Sequence, residues 1–199
     1  MESITEKAAN FIKKRLDSAK FKHSLGVTRA AVMLAVKHRV SIKDAGLAGM
    51  LHDVGRIYGP KELVRYVKRN GLKIPFRAEI MKYNPKLLHG FVGAHVALKY
   101  FTKKKDIIEA IAFHTLARPG ISRLAKLIYV ADYTAPDRRF PGLEKTRKTA
   151  ARNLDAAFRA ALSNKLLYVL KKKQWLHPLA VEAYNEELRL HRSKLRLHR

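Results

Sequence analysis

The chain contains no cysteine, which excludes a disulfide framework and any thiolate metal site and fits a reducing compartment. Acid is scarce: 16 Asp and Glu stand against 42 Lys and Arg, a formal net charge of +26. That imbalance favours anionic partners, either phosphorylated ligands or RNA touched non-specifically, and charge alone does not separate the two. Long apolar runs are missing as well. Lys or Arg interrupts each apolar stretch before it reaches bilayer length, and the opening MESITEKAANFIKKRL spreads its charges through an amphipathic pattern. Neither a membrane span nor a secretory signal is expected, and the cytoplasm is the default location. Alternating apolar and polar runs of the kind that mark strands are scarcely present. What remains is a 199-residue chain with 47% hydrophobic content, enough for one core.

The apolar spacing is helical nearly throughout and predicts an all-α fold. Helices are expected over 4–16, from about His23 onward, from Ser41 through His52 and Asp53, over 61–70, 86–101, 107–116 and 122–133, and as one long helix over 143–173. Ser41 followed by Asp44 resembles a capping box. Gly71 suits a left-handed C-cap, with a loop and one short turn to Pro85. Pro136, Pro141 and Gly142 make 134–142 the clearest loop, and Pro178 opens a final helix.

Against this background two acids are conspicuous: Asp53 in LAGMLHDVG and Asp132 in KLIYVADYT. A carboxylate in apolar surroundings needs a cation or a hydrogen-bond network. Histidines recur in similar surroundings at His23, His52, His89 and His114, and imidazole with carboxylate is the ligand set of zinc, iron, manganese and related ions. Arg56, four residues after His52 and three after Asp53, is placed to share their helical face and to grip phosphate bidentately. His95, six residues beyond His89, points about 120 degrees away and is left out of the site. His38, His191 and His198 read as surface residues, and Met33, Met50, Phe113 and Tyr129 as core.

The strings KHSLGV, GMLHDVGR, LLHGFVGA, IAFHTLARPGIS, LIYVADYTAPDRRFPGL and HPLAVEAYN, in this order, resemble the bacterial YqeK family of HD-domain metal-dependent phosphohydrolases over nearly the whole chain. The resemblance implies an all-α HD-domain helical bundle over 1–199, with a metal-binding core at about 18–135, additional C-terminal helices at about 143–190 and a basic tail at 189–199. It implies symmetrical hydrolysis of diadenosine tetraphosphate and related dinucleoside polyphosphates to two ADP. The cofactor is a divalent metal, iron first, with manganese, cobalt, zinc or magnesium as alternatives. His23, His52, Asp53 and Asp132 match the family's metal positions, and Asp53 and Arg56 carry the catalytic reading. Arg56 stands where the family usually has a lysine. Lys20, His89, His114 and Arg138 match phosphate positions, or a second metal site for the two histidines. Trp175, Leu176, His177 and Asn185 align with a region framing the nucleoside, where Trp175 would stack on the base. For His177, packing against the final helix is an equal reading.

Two departures stand out: HTLAR replaces the more usual HTTGR, and Ala135 replaces a common glutamate. Two other functions stay open. One is a different HD hydrolase acting on a nucleoside phosphate or guanosine alarmone; the other is a basic RNA- or ribosome-associated protein retaining the fold. The tail reads as a solvated helix before an RNA arm, and a homodimer stays open.

Overall fold

Side-chain caps set where the helices begin. In the computed structural model, which describes residues 2–196 and side chains up to 193, Ser3 and Glu6 cap each other's backbone to start α1 (Ile4–Lys13). Asp17 accepts from Lys20 N to start α2 (Ser18–His38), so α2 begins earlier than the sequence spacing indicates and His23 lies in its second turn. Ser41 caps α3 (Ile42–Leu51), but the box is half-formed, because the Asp44 carboxylate turns to Lys104 at 2.7 Å. The helix also stops short of the expected point. His52 is its C-cap, Asp53 leaves the α-helix at φ −101°, and a 3-10 turn follows over Val54–Ile57.

Next come α4 (Pro60–Arg69), closed by Gly71 at φ +59°, then α5 (Arg77–Tyr83), longer than the single turn expected. A short 3-10 turn, Pro85–Leu87, leads into α6 (Leu88–Tyr100), followed by α7 (Lys105–Phe113) and α8 (Arg123–Tyr133). The expected long C-terminal helix is two: α9 (Leu143–Arg152) and α10 (Leu154–Lys171). Asn153 breaks it by adopting extended backbone and accepting from Ala156 N at 2.9 Å, the preferred role of asparagine at a helix start. Pro178 opens α11 (Pro178–Arg196), so the basic tail is helical as far as it is described, and positions 197–199, with His198, lie outside the described residues. The fold is all-α, with no strand among the described residues.

Helix α3 packs against α1, α2, α7 and α8; α6 packs against α4, α7 and the turn after α3; α10 packs against α8, α9 and α11. Two core assignments are corrected by this packing. His38 is buried, its Nε2 facing the Ala150 carbonyl at 2.6 Å, because the end of α2 is covered by α9. Met33 is 63% exposed on the outer face of α2, while Met50 and Tyr129 are core as expected and Phe113 is half-buried.

Glycine sets the close approaches. A Cβ at Gly55 would lie 2.0 Å from the His89 carbonyl oxygen and 2.9 Å from Gly93 N, so only glycine lets the 3-10 turn meet the α6 backbone. At Gly90 a Cβ would lie 2.6 Å from the Ala112 carbonyl oxygen, fixing α6 on α7 in the same way. Gly55→Ala therefore forces backbone apart and should cost about 1–3 kcal/mol. At roughly 2–4 °C per kcal/mol, a thermal melt should show a drop of several degrees. Gly46→Ala, which would meet only Val32 Cγ2 at 3.6 Å, should leave the melt unchanged or raise it.

Candidate metal centre

Five elements converge on one buried point. Helix α2 brings His23, the end of α3 brings His52 and Asp53, α6 and the end of α7 bring His89 and His114, and the last turn of α8 brings Asp132. His52, Asp53, His89, His114 and Asp132 are buried. His23, His52 and Asp132 offer ligand atoms within 4.8 Å of one another, as do His52, Asp53 and His114. Asp53 Oδ1 lies 3.2 Å from His89 Nε2 and 3.4 Å from His114 Nε2, and those two nitrogens are 3.1 Å apart. Asp132 Oδ1 lies 3.2 Å from His23 Nε2.

The backbone decides which imidazole nitrogen faces this point. His52 Nδ1 sits 2.7 Å from the Gly49 carbonyl, His89 Nδ1 2.6 Å from Lys86 O, and His114 Nδ1 2.7 Å from Ile111 O. A carbonyl only accepts, so in each ring the proton resides on Nδ1 and the Nε2 lone pair points inward. His23 is held likewise, its Nδ1 2.9 Å from the Asp137 carboxylate. The centre is thus lined by acceptors facing acceptors: imidazole lone pairs against carboxylate oxygens. His52 Nε2 and Asp53 Oδ1 have no hydrogen-bond partner although both are buried. Such a set is stable only around a cation, and its nitrogen and oxygen donors suit a divalent transition metal.

Electrostatics agree with the geometry. Burial pulls His52 down to about 4 and also lowers His89, keeping both imidazoles neutral at pH 7. Burial works against the charge on Asp53, and His52, His114 and His89 hold its carboxyl well below the usual range where these rings carry an inward proton. For Asp132, burial is likewise overcome, by Lys165, His23, His52 and Arg138. His23 is raised, burial being outweighed by Asp132 and Asp137.

Two guanidiniums rim the centre. Arg56 Nε lies 2.6 Å from Asp53 Oδ1, reached through the 3-10 turn rather than along a continuous α-helix, and Arg138 Nη2 lies 2.5 Å from Asp132 Oδ1. Both are part-exposed, so their remaining N–H groups are open to a ligand. Lys20 does not join them; its ammonium pairs with Asp17 at 2.7 Å on the surface, one turn before His23. His95 accepts or donates to Tyr66 Oη at 2.9 Å, away from the centre.

The C-terminal group forms a separate aromatic cluster. Trp175 stacks on Tyr83 with centroids 5.7 Å apart and meets His177 at 5.2 Å, and His177 meets Phe76 edge-on at 5.4 Å. Trp175 and Leu176 are half-buried, His177 is buried, and Asn185 is exposed on α11. Ala135 is buried, and the loop it begins is held by Arg147, which donates to the Thr134 carbonyl at 3.0 Å and to the Ala135 carbonyl at 2.7 Å.

Two residues at the centre escaped the sequence reading. Asp137 carried no signal, being one acid in a polar loop. Lys165, 3.4 Å from Asp132 Oδ2, did: it continues the buried stripe Leu154, Ala157, Phe158, Ala161, Leu162 of α10, where a charge is out of place.

Comparison with known proteins supports this centre. The HD-domain family model matches residues 21–137, a span that holds every imidazole and carboxylate of the cluster. The chain is 34% identical to "Bis(5'-nucleosyl)-tetraphosphatase, symmetrical" of Bacillus subtilis (strain 168), over 90% of this chain and 95% of that protein. It is 34% identical to the protein of the same name from Halalkalibacterium halodurans, over 92% and 96%. It also superposes, with a TM-score of 0.87 and 33% identity, on a crystal structure of an HD superfamily hydrolase from Clostridium acetobutylicum described as involved in NAD metabolism, covering 94% of this chain and 98% of that one.

Elemental analysis of purified protein should find a divalent ion that His52→Ala removes. Asp137→Asn, which only loosens the hold on His23, should weaken metal affinity by about 10–100-fold without abolishing it. Equal metal content in His52→Ala and the unaltered protein would exclude His52 as a ligand.

Proposed function

Because the chain belongs to the HD-domain family, and within it to the symmetrical bis(5'-nucleosyl)-tetraphosphatases, we propose that it hydrolyses dinucleoside tetraphosphates such as diadenosine tetraphosphate to two nucleoside diphosphates at this centre. The observation that carries the reading is the inward convergence of four imidazole Nε2 atoms on two carboxylates, with arginines at the rim. His23, His52, Asp53 and Asp132 would hold the ion, with iron as its identity and manganese, cobalt, zinc or magnesium tolerated by the same donors. His89 and His114, on the other side of Asp53, serve a second ion or the phosphate chain. When bound, a divalent ion contributes Lewis acidity and a water activated at neutral pH.

The chain's own residues do the rest. Arg138 donates from Nη2 to the Asp132 carboxylate and from Nε to the Asp132 carbonyl, and Arg56 is ion-paired with Asp53, which leaves the outer donors of both guanidiniums for phosphoryl oxygens. Being pre-oriented, they neutralise charge developing on the leaving diphosphate without reorganising. Asp53 and Asp132, held ionised, accept from and orient the attacking water. Cleavage at the middle of the chain places a nucleoside diphosphate on each side, and Trp175, Leu176, His177 and Asn185 frame one nucleoside, the Trp175 ring held flat by Tyr83.

A second reading is an additional contact with RNA, favoured by one open groove of about 920 Å³ between α2 and α9. Arg29, Lys37, Arg139 and Lys145 line it beside exposed Met33 and half-buried Phe140, and α2 itself contains no acid.

The purified, metal-loaded protein given diadenosine tetraphosphate should release ADP as its sole nucleotide product; ATP with AMP, or no turnover with any of the five metals, would reject the assignment. For the groove, the combined Arg29→Glu, Lys37→Glu and Lys145→Glu variant should lose affinity for a single-stranded RNA oligomer and show a flatter salt dependence, with hydrolysis unchanged. Unaltered RNA affinity in that variant would eliminate the groove as the contact.

A further inference from the structure

We propose that Lys165, on α10 and outside the matched HD region, is a phosphate-binding residue of the metal centre. The assignment rests on the hydrolase reading and begins with where the side chain is sent. α10 packs on α8 and buries Leu154, Ala157, Phe158, Ala161 and Leu162, and Lys165 occupies the next inward position, three residues after Leu162 and four after Ala161. Its ammonium lies 4.0 Å from the centroid of the fully buried Tyr129 ring, one turn before Asp132 on α8. From there Nζ reaches the Asp132 Oδ2 at 3.4 Å and the His114 carbonyl at 3.3 Å.

Neither contact accounts for a lysine directed inward and half-buried. Both sit at the long end of hydrogen bonding, and they engage two of the three ammonium donors. Asp132 is also shared: its other oxygen already accepts from Arg138 at 2.5 Å and faces His23 at 3.2 Å. The charges around the centre balance only while no ion is counted. Asp53 and Asp132 face Arg56, Arg138 and Lys165, and the added Asp137 only brings acids level with cations before any ion is counted. A divalent ion leaves the centre with surplus positive charge that must be met by an anion. The polyphosphate chain supplies one ionised oxygen per phosphate.

Desolvating an ammonium is unfavourable, and a lysine serving packing alone would be replaced by an apolar residue with no loss. Its cost is explained if the ammonium is held loosely at the centre of a site that an anion completes. Lys165 lies at Asp132 and Arg56 at Asp53, so the phosphate chain is gripped beside both carboxylates of the metal cluster. The C-terminal helices thereby contribute a substrate contact as well as a cover for α8.

The test uses the metal-loaded protein with Lys165→Met, Lys165→Gln and Lys165→Arg. ADP and inorganic tripolyphosphate affinities are measured by calorimetry, beside KM and kcat on diadenosine tetraphosphate, metal content and melting temperature. Loss of the cation should weaken both anions and raise KM by about tenfold or more, with metal content retained, while Lys165→Arg keeps most of the affinity. Lys165→Gln repeats the test with a polar side chain should Lys165→Met fold poorly. Unchanged anion affinity in the two neutral variants overturns the assignment, as does metal loss with normal affinity in the molecules that stay loaded, since Lys165 would then only position Asp132. If the unaltered protein does not cleave diadenosine tetraphosphate, the anion titrations still decide on Lys165 while the substrate assignment falls.

Discussion

The orientation of the imidazoles by backbone carbonyls is the constraint on which the rest depends. Three of the four inward rings donate Nδ1–H to a carbonyl three residues earlier, so helix ends at Leu51 and Phe113 and the 3-10 turn before α6 act as clamps. The termination of α3 at Leu51 is therefore a functional feature. A helix continued through Asp53 would carry that carboxylate around the axis, away from His89 and His114. The change to a 3-10 turn keeps Asp53 at the junction of α3 and α6, and the missing Cβ of Gly55 brings the two backbones close enough for Asp53 Oδ1 to meet both rings.

Much of the centre was legible because burying charge is costly. Asp53 and Asp132 stood out in apolar segments, and His23, His52, His89 and His114 could be grouped with them on the same ground. Helical angle turns His95 away from His89, and its ring is occupied with Tyr66. Where the reading failed, local signals competed with tertiary ones. His38 sits among basic residues in sequence, but α9 covers it from 112 positions away. Asn153 interrupts an otherwise helical composition with a cap that periodicity does not register. Asp137 is a surface acid until the loop returns it to His23, and Lys165 was hidden by the abundance of lysine in this chain.

The departures from the family pattern gain physical content from the backbone. Ala117, where a glycine is usual, has φ +62° and is fully buried. The left-handed conformation costs an alanine on the order of 1 kcal/mol, and burying its methyl returns about 0.8, so the exchange is close to neutral. Ala135 removes an acid from a site where acids are few, and the loop is secured by Arg147 on two carbonyls, leaving Asp137 as the loop's acid beside the centre. The basic excess extends to the site itself, where Arg56 and Arg138 share the rim.

His23 and Asp132 are 109 positions apart in the chain, and they are neighbours only when both ends of the domain are in place. An ion gripped by both is a cross-link over that distance, in a chain that has no cysteine with which to make one. A covalent link across a loop of about this size is credited with on the order of 4–5 kcal/mol in the chain-entropy treatment. The cofactor would thus serve as a fastener as well as a reagent, and a nascent chain could not take it up until α8 had been synthesised.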